Sequence, residues 1–472
     1  MKVIFAAAEC YPFAKTGGLG DVAGSLPKEL VKNGAEVRVF LPLYSSIPDS
    51  YTDQMRFIQE FTVSLAWRQL SCSLFELEHN GVIYNFIGND HYFDRASYYG
   101  QDDDAECFAF FSKAILEALP NIGFQPDVLH CNDWQTAMVV VFFKAFYQHL
   151  DFYLNTKSVF TIHNLLYQGI FPQCVLGDVL GLGMEFFHKD ALEFYGDVNF
   201  MKGAIAYADI ITTVSKTYAQ EIQTPYFGAM LYGLINWQKD HLFGIINGID
   251  CEKYNPATDN KIFEPYTKSL VKKRQNKVEL QESLHLPVDE DIPMIGIISR
   301  LVEQKGFDLI ERVMEEILNL DIQLVILGTG EKQYEDYYKK LAKMHPEKIS
   351  ANIFFDDTFS HKLYAASDIF LMPSLFEPCG TGQLIAMRYG AIPVVRETGG
   401  LKDTIQPFNK FTNDGNGFSF SNFDAFDMLH VLESAIELYK DKPIWEKITR
   451  NAMQTDVSWR KSAKEYLEIY QK

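Results

Sequence analysis

Short, continuous apolar runs of strand length recur along this chain, and helical patterns fill most of the gaps between them. A first series comprises Val3–Ala8, Val37–Leu41, Val128–His130, Ser158–Ile162, Ile210–Val214 and Phe243–Ile246. A second comprises Met294–Ser299, Gln323–Leu327, Asn352–Phe355, Ile369–Met372 and Ile392–Val395. Runs that are apolar throughout suit strands buried on both faces, which requires helices covering a parallel sheet. The helix expected over Val22–Lys32 stops at Asn33-Gly34, a C-terminal signal, and Phe307–Leu318 reads as a comparable helix in the second series. The expected fold class is α/β, with two doubly wound, Rossmann-like domains.

The turn-rich stretch from Asn247-Gly248-Ile249-Asp250 to Asn255-Pro256 separates the two series. It divides the chain into 1–245, 246–456 and a terminal segment 457–472, whose Trp459–Lys472 reads as a helix packing back on the first domain. Thr16-Gly17-Gly18-Leu19-Gly20-Asp21 is echoed by Thr398-Gly399-Gly400-Leu401-Lys402-Asp403, which supports a duplication. A net charge of −19 repels polyanions, so nucleic acid and anionic membrane are poor partners. The apolar stretch Ala137–Phe143 is broken by Lys144, well below the roughly 20 residues of a membrane span. Val3–Ala8 is also too short for a signal-peptide core, and the expected location is the cytoplasm. Seven cysteines are scattered without a C-x-x-C pair and read as reduced thiols.

Chemistry concentrates where strands end. Lys15-Thr16-Gly17-Gly18-Leu19-Gly20-Asp21 puts glycines and bare backbone N–H groups at a helix start, with Lys15 adding a cation, which suits a phosphate; a tight turn needing glycine is the other reading. Gly18 to Ala23 also fits G-x-G-x-x-A, but the next strand runs into Leu41-Pro42-Leu43-Tyr44 without the ribose-binding carboxylate, so a nicotinamide or flavin enzyme loses ground. Arg300 and Lys305 stand five residues apart after a buried strand and point to an anionic ligand such as a diphosphate. Glu377-Pro378-Cys379-Gly380-Thr381-Gly382 offers a carboxylate and helix-start amides at a sheet edge, with Cys379 read as an inert thiol. Asn132-Asp133-Trp134 and His163-Asn164 form a candidate hydroxyl-binding set. Asp102-Asp103-Asp104 reads as a solvated acidic loop or, alternatively, a divalent-cation site. The sequence contains no P-loop, H-E-x-x-H or G-x-S-x-G motif.

Together these motifs resemble, end to end and in order, the bacterial glycogen synthase and plant starch synthase family. The matched elements are the Lys15–Val22 turn, Ile246-Asn247-Gly248-Ile249-Asp250, Ser299-Arg300 with Gln304-Lys305-Gly306, Glu377-Pro378-Cys379-Gly380 and Thr398-Gly399-Gly400-Leu401. The resemblance implies the GT-B architecture, two Rossmann-like domains facing a deep cleft. It also implies transfer of glucose from ADP-glucose to the non-reducing end of an α-1,4-glucan, with retained configuration and neither metal nor cofactor. By position, Lys15, Arg300 and Lys305 would neutralise the diphosphate. Glu377 would hold the donor glucose, and Asp133, His163 and Asn247 would contact its hydroxyls. Thr381, Gly382 and the Thr398–Gly400 turn would present amides to phosphate, and Phe355 would lie against the base. Gly18, Asp21, Gln304, Cys379 and Gly380 complete the implied donor site, with Glu377, Lys15, Arg300, Lys305 and His163 as its catalytic members.

Three departures mark this chain. Thr381-Gly382 replaces the usual Leu-Thr, Phe355 stands where Tyr is common, and Ile385 occupies the position of a second Glu found in related transferases. The competing readings are a GT-B transferase with another acceptor, a Rossmann oxidoreductase and a non-catalytic glucan-binding protein.

Overall fold

The computed structural model describes residues 1–267 and 269–472. They form two units, Met1–Asn247 together with Trp459–Lys472, and Gly248–Ser458.

The first unit is built on a nine-stranded sheet. Its strands are β1 (Lys2–Ala6), β2 (Glu36–Pro42), β3 (Arg56–Leu65), β4 (Arg68–His79), β5 (Val82–Gly88), β6 (Val128–Asn132) and β7 (Lys157–Ile162). A separate three-stranded sheet holds β8 (Ile170–Phe171), β9 (Glu193–Phe194) and β10 (Asp197–Asn199), and β11 (Ile210–Thr213) and β12 (Leu242–Gly244) complete the large one. The large sheet runs β12-β11-β7-β6-β1-β2-β5-β4-β3 and is parallel from β12 to β5. Its β4 pairs antiparallel with both β5 and β3. The expected parallel sheet is thus extended at its β5 edge by an antiparallel hairpin, β3–β4. Burial in β3 is partial and mixed, so the long hairpin β3–β4 has no continuous apolar run to reveal it.

The second unit carries six parallel strands: β13 (Met294–Ile298), β14 (Gln323–Leu327), β15 (Ile349–Asn352), β16 (Ile369–Met372), β17 (Ile392–Arg396) and β18 (Phe418–Phe420). Their order, β15-β14-β13-β16-β17-β18, is the doubly wound 3-2-1-4-5-6 arrangement. Counting only its seven parallel strands, the first unit has this order extended by one strand, 3-2-1-4-5-6-7. In each sheet the order reverses beside the first strand, between β1 and β6 and between β13 and β16. Ligands of open α/β sheets bind outside the carboxyl ends at such points.

Most helices form where the periodicity places them. The helix Gly18–Lys32 starts one turn before the expected Val22 and ends at Asn33 with Gly34 at φ 91°. The expected Phe307–Leu318 helix is two helices, Phe307–Arg312 and Met314–Asn319, broken at Val313. The Ile317 amide still bonds the Val313 carbonyl, so Ile310, Val313, Met314 and Ile317 all remain buried. The expected strand Asn352–Phe355 is displaced: pairing with β14 runs from Ile349 to Asn352 and then stops. Asp356 caps the next helix by accepting from the Phe359 amide, which leaves Phe354 and Phe355 on the intervening loop. The terminal helix Trp459–Tyr470 belongs to the first unit, where the Tyr470 hydroxyl meets His130 Nδ1 at 2.6 Å and Ser462 Oγ donates to the Ile246 carbonyl at 2.5 Å. Among the described residues no helix is long and apolar enough to cross a membrane.

Candidate active site

In the first unit the chain leaves β1 into Glu9, which is nearly inaccessible. Its carboxylate accepts from the Thr16 amide at 2.6 Å, the Thr16 hydroxyl at 2.7 Å, the Gly17 amide at 2.9 Å and the Tyr99 hydroxyl at 2.7 Å. The bare N–H groups expected of this turn are thus not all bare: an internal carboxylate occupies two of them, because a buried anion must be hydrogen-bonded. Glu9 is a residue that the sequence reading missed, and its one signal was a carboxylate directly after the apolar run Val3–Ala8. Lys15 Nζ lies 2.7 Å from Asp21, which sits in the first turn of the following helix where the macrodipole favours an anion. Gly20 makes room for this arrangement, since a Cβ there would stand 2.9 Å from Lys15 Cγ. Gly18 opens that helix.

Asp133 follows β6 at φ 54° and accepts the His163 amide at 2.8 Å and the Asn164 amide at 3.4 Å, so the ends of β6 and β7 are tied at one carboxylate. Burial pushes the Asp133 carboxyl up to about 7, against the pull of those two amides, and the Glu9 charge adds to the rise. Burial drives His163 down to about 3, leaving a neutral imidazole whose Nε2 lies 2.9 Å from Asn132 Oδ1. Trp134 does not join a hydroxyl-binding set. Its indole packs against Phe108, Tyr99 and Phe171 at 5.0, 6.4 and 5.8 Å and is core. Asn247 is buried, and its Oδ1 has no hydrogen-bond partner, an unsatisfied acceptor that asks for a donor. Asp103 and Asp104 are engaged by Arg95 at 2.9 and 3.4 Å, and Asp104 also accepts the Gly100 amide at 2.8 Å; these bonds make the acidic loop a structural turn.

In the second unit the loops after β13, β16 and β17 meet. Arg300 is exposed just past β13. Lys305 reaches Glu377 Oε2 at 2.5 Å, and Ser374 Oγ donates to the same oxygen at 3.2 Å. Gln304 joins the two loops twice: its carbonyl accepts the Leu375 amide at 2.9 Å, and its Nε2 donates to the Phe376 carbonyl at 3.2 Å. Cys379 is buried, Gly380 turns the chain at φ 74°, Thr381 precedes the helix Gly382–Arg388, and Thr398 precedes the helix Gly399–Thr404. Gly399 sits at φ 43° with its Cα under the Glu377 carbonyl. Phe355, on the loop after β15, is 71% exposed. The echo between Thr16–Asp21 and Thr398–Asp403 is not a duplication, because the first follows β1, the first strand of its sheet, and the second follows β17, the fifth of its own. The counterpart of the β1 turn is the β13 turn, Ser299–Gly306.

The chain matches the family model for the starch synthase catalytic domain over residues 2–237 and that for glycosyl transferases group 1 over 281–454. It is 54% identical over 473 residues to a glycogen synthase of Desulforamulus reducens, covering 100% of this chain and 98% of that protein. A glycogen synthase of Clostridium novyi is 53% identical over 472 residues, with the same coverages. This chain belongs to the glycogen and starch synthase family. Among solved structures, the catalytic domain of starch synthase IV from Arabidopsis thaliana, bound to ADP and acarbose, superposes with a TM-score of 0.92 at 35% identity, covering 100% of this chain and 98% of that one. A sucrose-phosphate synthase from Thermosynechococcus elongatus shares the fold at a TM-score of 0.62 and 16% identity. As a member of the glycogen and starch synthase family the chain is a glycosyltransferase of GT-B architecture, and the oxidoreductase reading falls.

Proposed function

We propose that the chain transfers glucose from ADP-glucose to the non-reducing end of an α-1,4-glucan, with retained anomeric configuration, in the cytoplasm. The observation that carries this reading is the Lys305–Glu377 pair at the carboxyl edge of the switch point between β13 and β16, with Arg300 exposed beside it. Breaking the bond between sugar and diphosphate places negative charge on the leaving group. Arg300 and Lys305 supply cations for that charge, stabilisation that water provides less well, and Lys15 in the turn after β1 is a further cation suited to phosphate. Amides at Thr381-Gly382 add donors, whereas the expected contribution of the Thr398–Gly400 turn is reduced, because the Thr398 amide donates to the Arg396 carbonyl and the Gly400 amide to those of Glu377 and Pro378; the exposed Phe355 ring offers a face for the purine.

Glu377 is held by two donors on one oxygen, so it is a poor nucleophile and serves to orient the sugar. That favours departure and attack on one face of the sugar over a covalent intermediate. Asp133, His163 and the buried, unpartnered Asn247 Oδ1 are the hydrogen-bonding groups we assign to sugar hydroxyls, the neutral imidazole costing no charge desolvation. The test is nucleotide release and glucan labelling with glycogen plus ADP-glucose or UDP-glucose, with and without a chelator. ADP release that exceeds UDP release and survives chelation is expected. Equal or better use of UDP-glucose, or release without glucan elongation, overturns the reading.

A further inference from the structure

The loop that carries Glu377 has no regular secondary structure from Pro373 to Thr381, yet each carbonyl from Ser374 to Gly380 accepts a hydrogen bond. Gln304 takes Phe376, the Gly400 amide takes Glu377 and Pro378 at 3.1 Å each, and Gln383 Nε2 takes Cys379 and Gly380 at 3.0 and 3.1 Å. The first two carbonyls belong to Arg396. From the end of β17 its Nε donates to Ser374 at 3.0 Å, a terminal nitrogen donates to Leu375, and the other terminal nitrogen reaches the Ser421 carbonyl at 3.4 Å. The Phe423 ring lies 5.7 Å from the guanidinium carbon.

Arg396 is only 8% exposed. Burying a guanidinium is costly, and an apolar side chain closes a loop at lower cost, so its presence selects a geometry. The planar fork binds two consecutive carbonyls at fixed separation, which neither an ammonium nor an amide reproduces. Ser374 is the link to the chemistry: its carbonyl is gripped by Arg396, while its hydroxyl donates to Glu377 Oε2 beside Lys305. We propose that Arg396 is a positioning residue for the transfer reaction, fixing the Ser374-Leu375 backbone so that Ser374 and Lys305 hold the Glu377 carboxylate in its working orientation.

This inference rests on the role assigned to Glu377 under Proposed function, and the experiment separates the two. Arg396→Lys keeps the charge and most of the length but loses the fork. It is measured for kcat and donor KM with glycogen and ADP-glucose, both alone and combined with Glu377→Gln, beside a thermal melt of each variant. Arg396→Lys is expected to lower kcat by about tenfold or more, because small misplacements at a reacting centre cost up to about 10²-fold, with donor KM changed by less than about threefold. In the Glu377→Gln background the same substitution is expected to cost less than about threefold, since the carboxylate it orients is gone. Ser374→Ala, which removes one hydroxyl, is expected to lower kcat in the same direction and to be non-additive with Arg396→Lys. An equal loss in both backgrounds, a loss confined to KM or to the folded fraction, or unchanged kcat in Arg396→Lys overturns the proposal. Full activity in Glu377→Gln alone overturns the reading of Glu377 instead.

Discussion

The tightest test of the second unit's geometry is Gly399→Ala. A Cβ at Gly399 would stand 2.0 Å from the Glu377 carbonyl oxygen and 3.1 Å from that of Pro378. The obstacle is backbone, so no rotamer change relieves it, and the two segments must separate by more than about 1 Å to reach ordinary contact. Two costs follow. The residue sits at φ 43°, where an L side chain costs about 1–2 kcal/mol, and overpacking adds about 1–3 kcal/mol. The second unit, Gly248–Ser458, should therefore lose about 2–5 kcal/mol, a fall in its melting temperature of roughly 5–15 °C. The catalytic effect should be larger than the stability effect at assay temperature. Moving the Glu377 backbone by about 1 Å is expected to cost about 10²-fold in kcat. The assay is initial-rate nucleotide release from ADP-glucose with glycogen, beside a calorimetric melt. Gly177→Ala is the control, since a Cβ there meets nothing within 4 Å. Gly399→Ala with kcat within threefold of the parent and an unchanged melt would refute the argument that this glycine sets the position of Glu377.

Lys15→Ala is expected to lower kcat about 10²-fold with a smaller change in donor KM, as removal of one transition-state charge stabiliser does; a loss seen wholly in KM contradicts the role. Stability should also depend on pH in a defined direction. His130 and His163 are both held down at about 3 by burial, so their contribution is complete above the unfolded value of 6.5 and is lost as pH falls below it. Asp133, raised from 3.8 to about 7, acts in the opposite sense, its contribution being greatest at low pH and lost as pH rises from 3.8 towards 7. Asp133→Asn keeps an acceptor for the His163 amide and removes the opposing slope. Between about pH 4 and 6.5 it should steepen the acid-side loss of stability by up to about 1.4 kcal/mol per pH unit, measured by denaturant titration; a shallower slope would reverse the assignment.

The parallel core was legible because strands buried on both faces are apolar at every position. The strands Gln323–Leu327 and Ile369–Met372 fall where the apolar runs end. The hairpin β3–β4 was not legible for the converse reason: its residues are largely part-exposed and include charged side chains such as Glu60, Arg68 and Glu76. At β15 the apolar run Ile353-Phe354-Phe355 misled, because register against β14 and the cap at Asp356 decide where a strand ends, and neither is a local property. The same limit applies to the site. Arg300, Lys305 and Glu377 were visible as strand-end charges, but the contact between Lys305 and Glu377 spans 72 residues and exists only once β13 and β16 are neighbours. Arg396 was invisible because, in sequence, it is one cation ending a strand.

The two sheets share the doubly wound arrangement around their first strands, and their first turns differ in charge. The β1 turn closes around Glu9, whose carboxylate consumes the Thr16 and Gly17 amides, and its Lys15 is paired with Asp21. The β6 end nearby carries Asp133, held partly protonated near neutral pH by burial. The β13 turn carries Arg300 and Lys305 with one carboxylate, Glu303, which is exposed, and the carboxylate that meets Lys305 arrives from the β16 loop. A Rossmann sheet offers the same edge to its ligand in either case, so topology cannot say which half takes the phosphates and which the hydroxyls. Local charge can. A diphosphate is repelled by the carboxylates at the β1 and β6 ends and attracted by the cations at the β13 end, whereas a sugar hydroxyl is served by carboxylate, neutral imidazole and amide groups. On that reasoning the cations of the β13 turn suit phosphate and the polar groups at the β6 and β7 ends suit hydroxyls, whereas an assignment of Lys15 to phosphate depends on releasing its existing partner, Asp21.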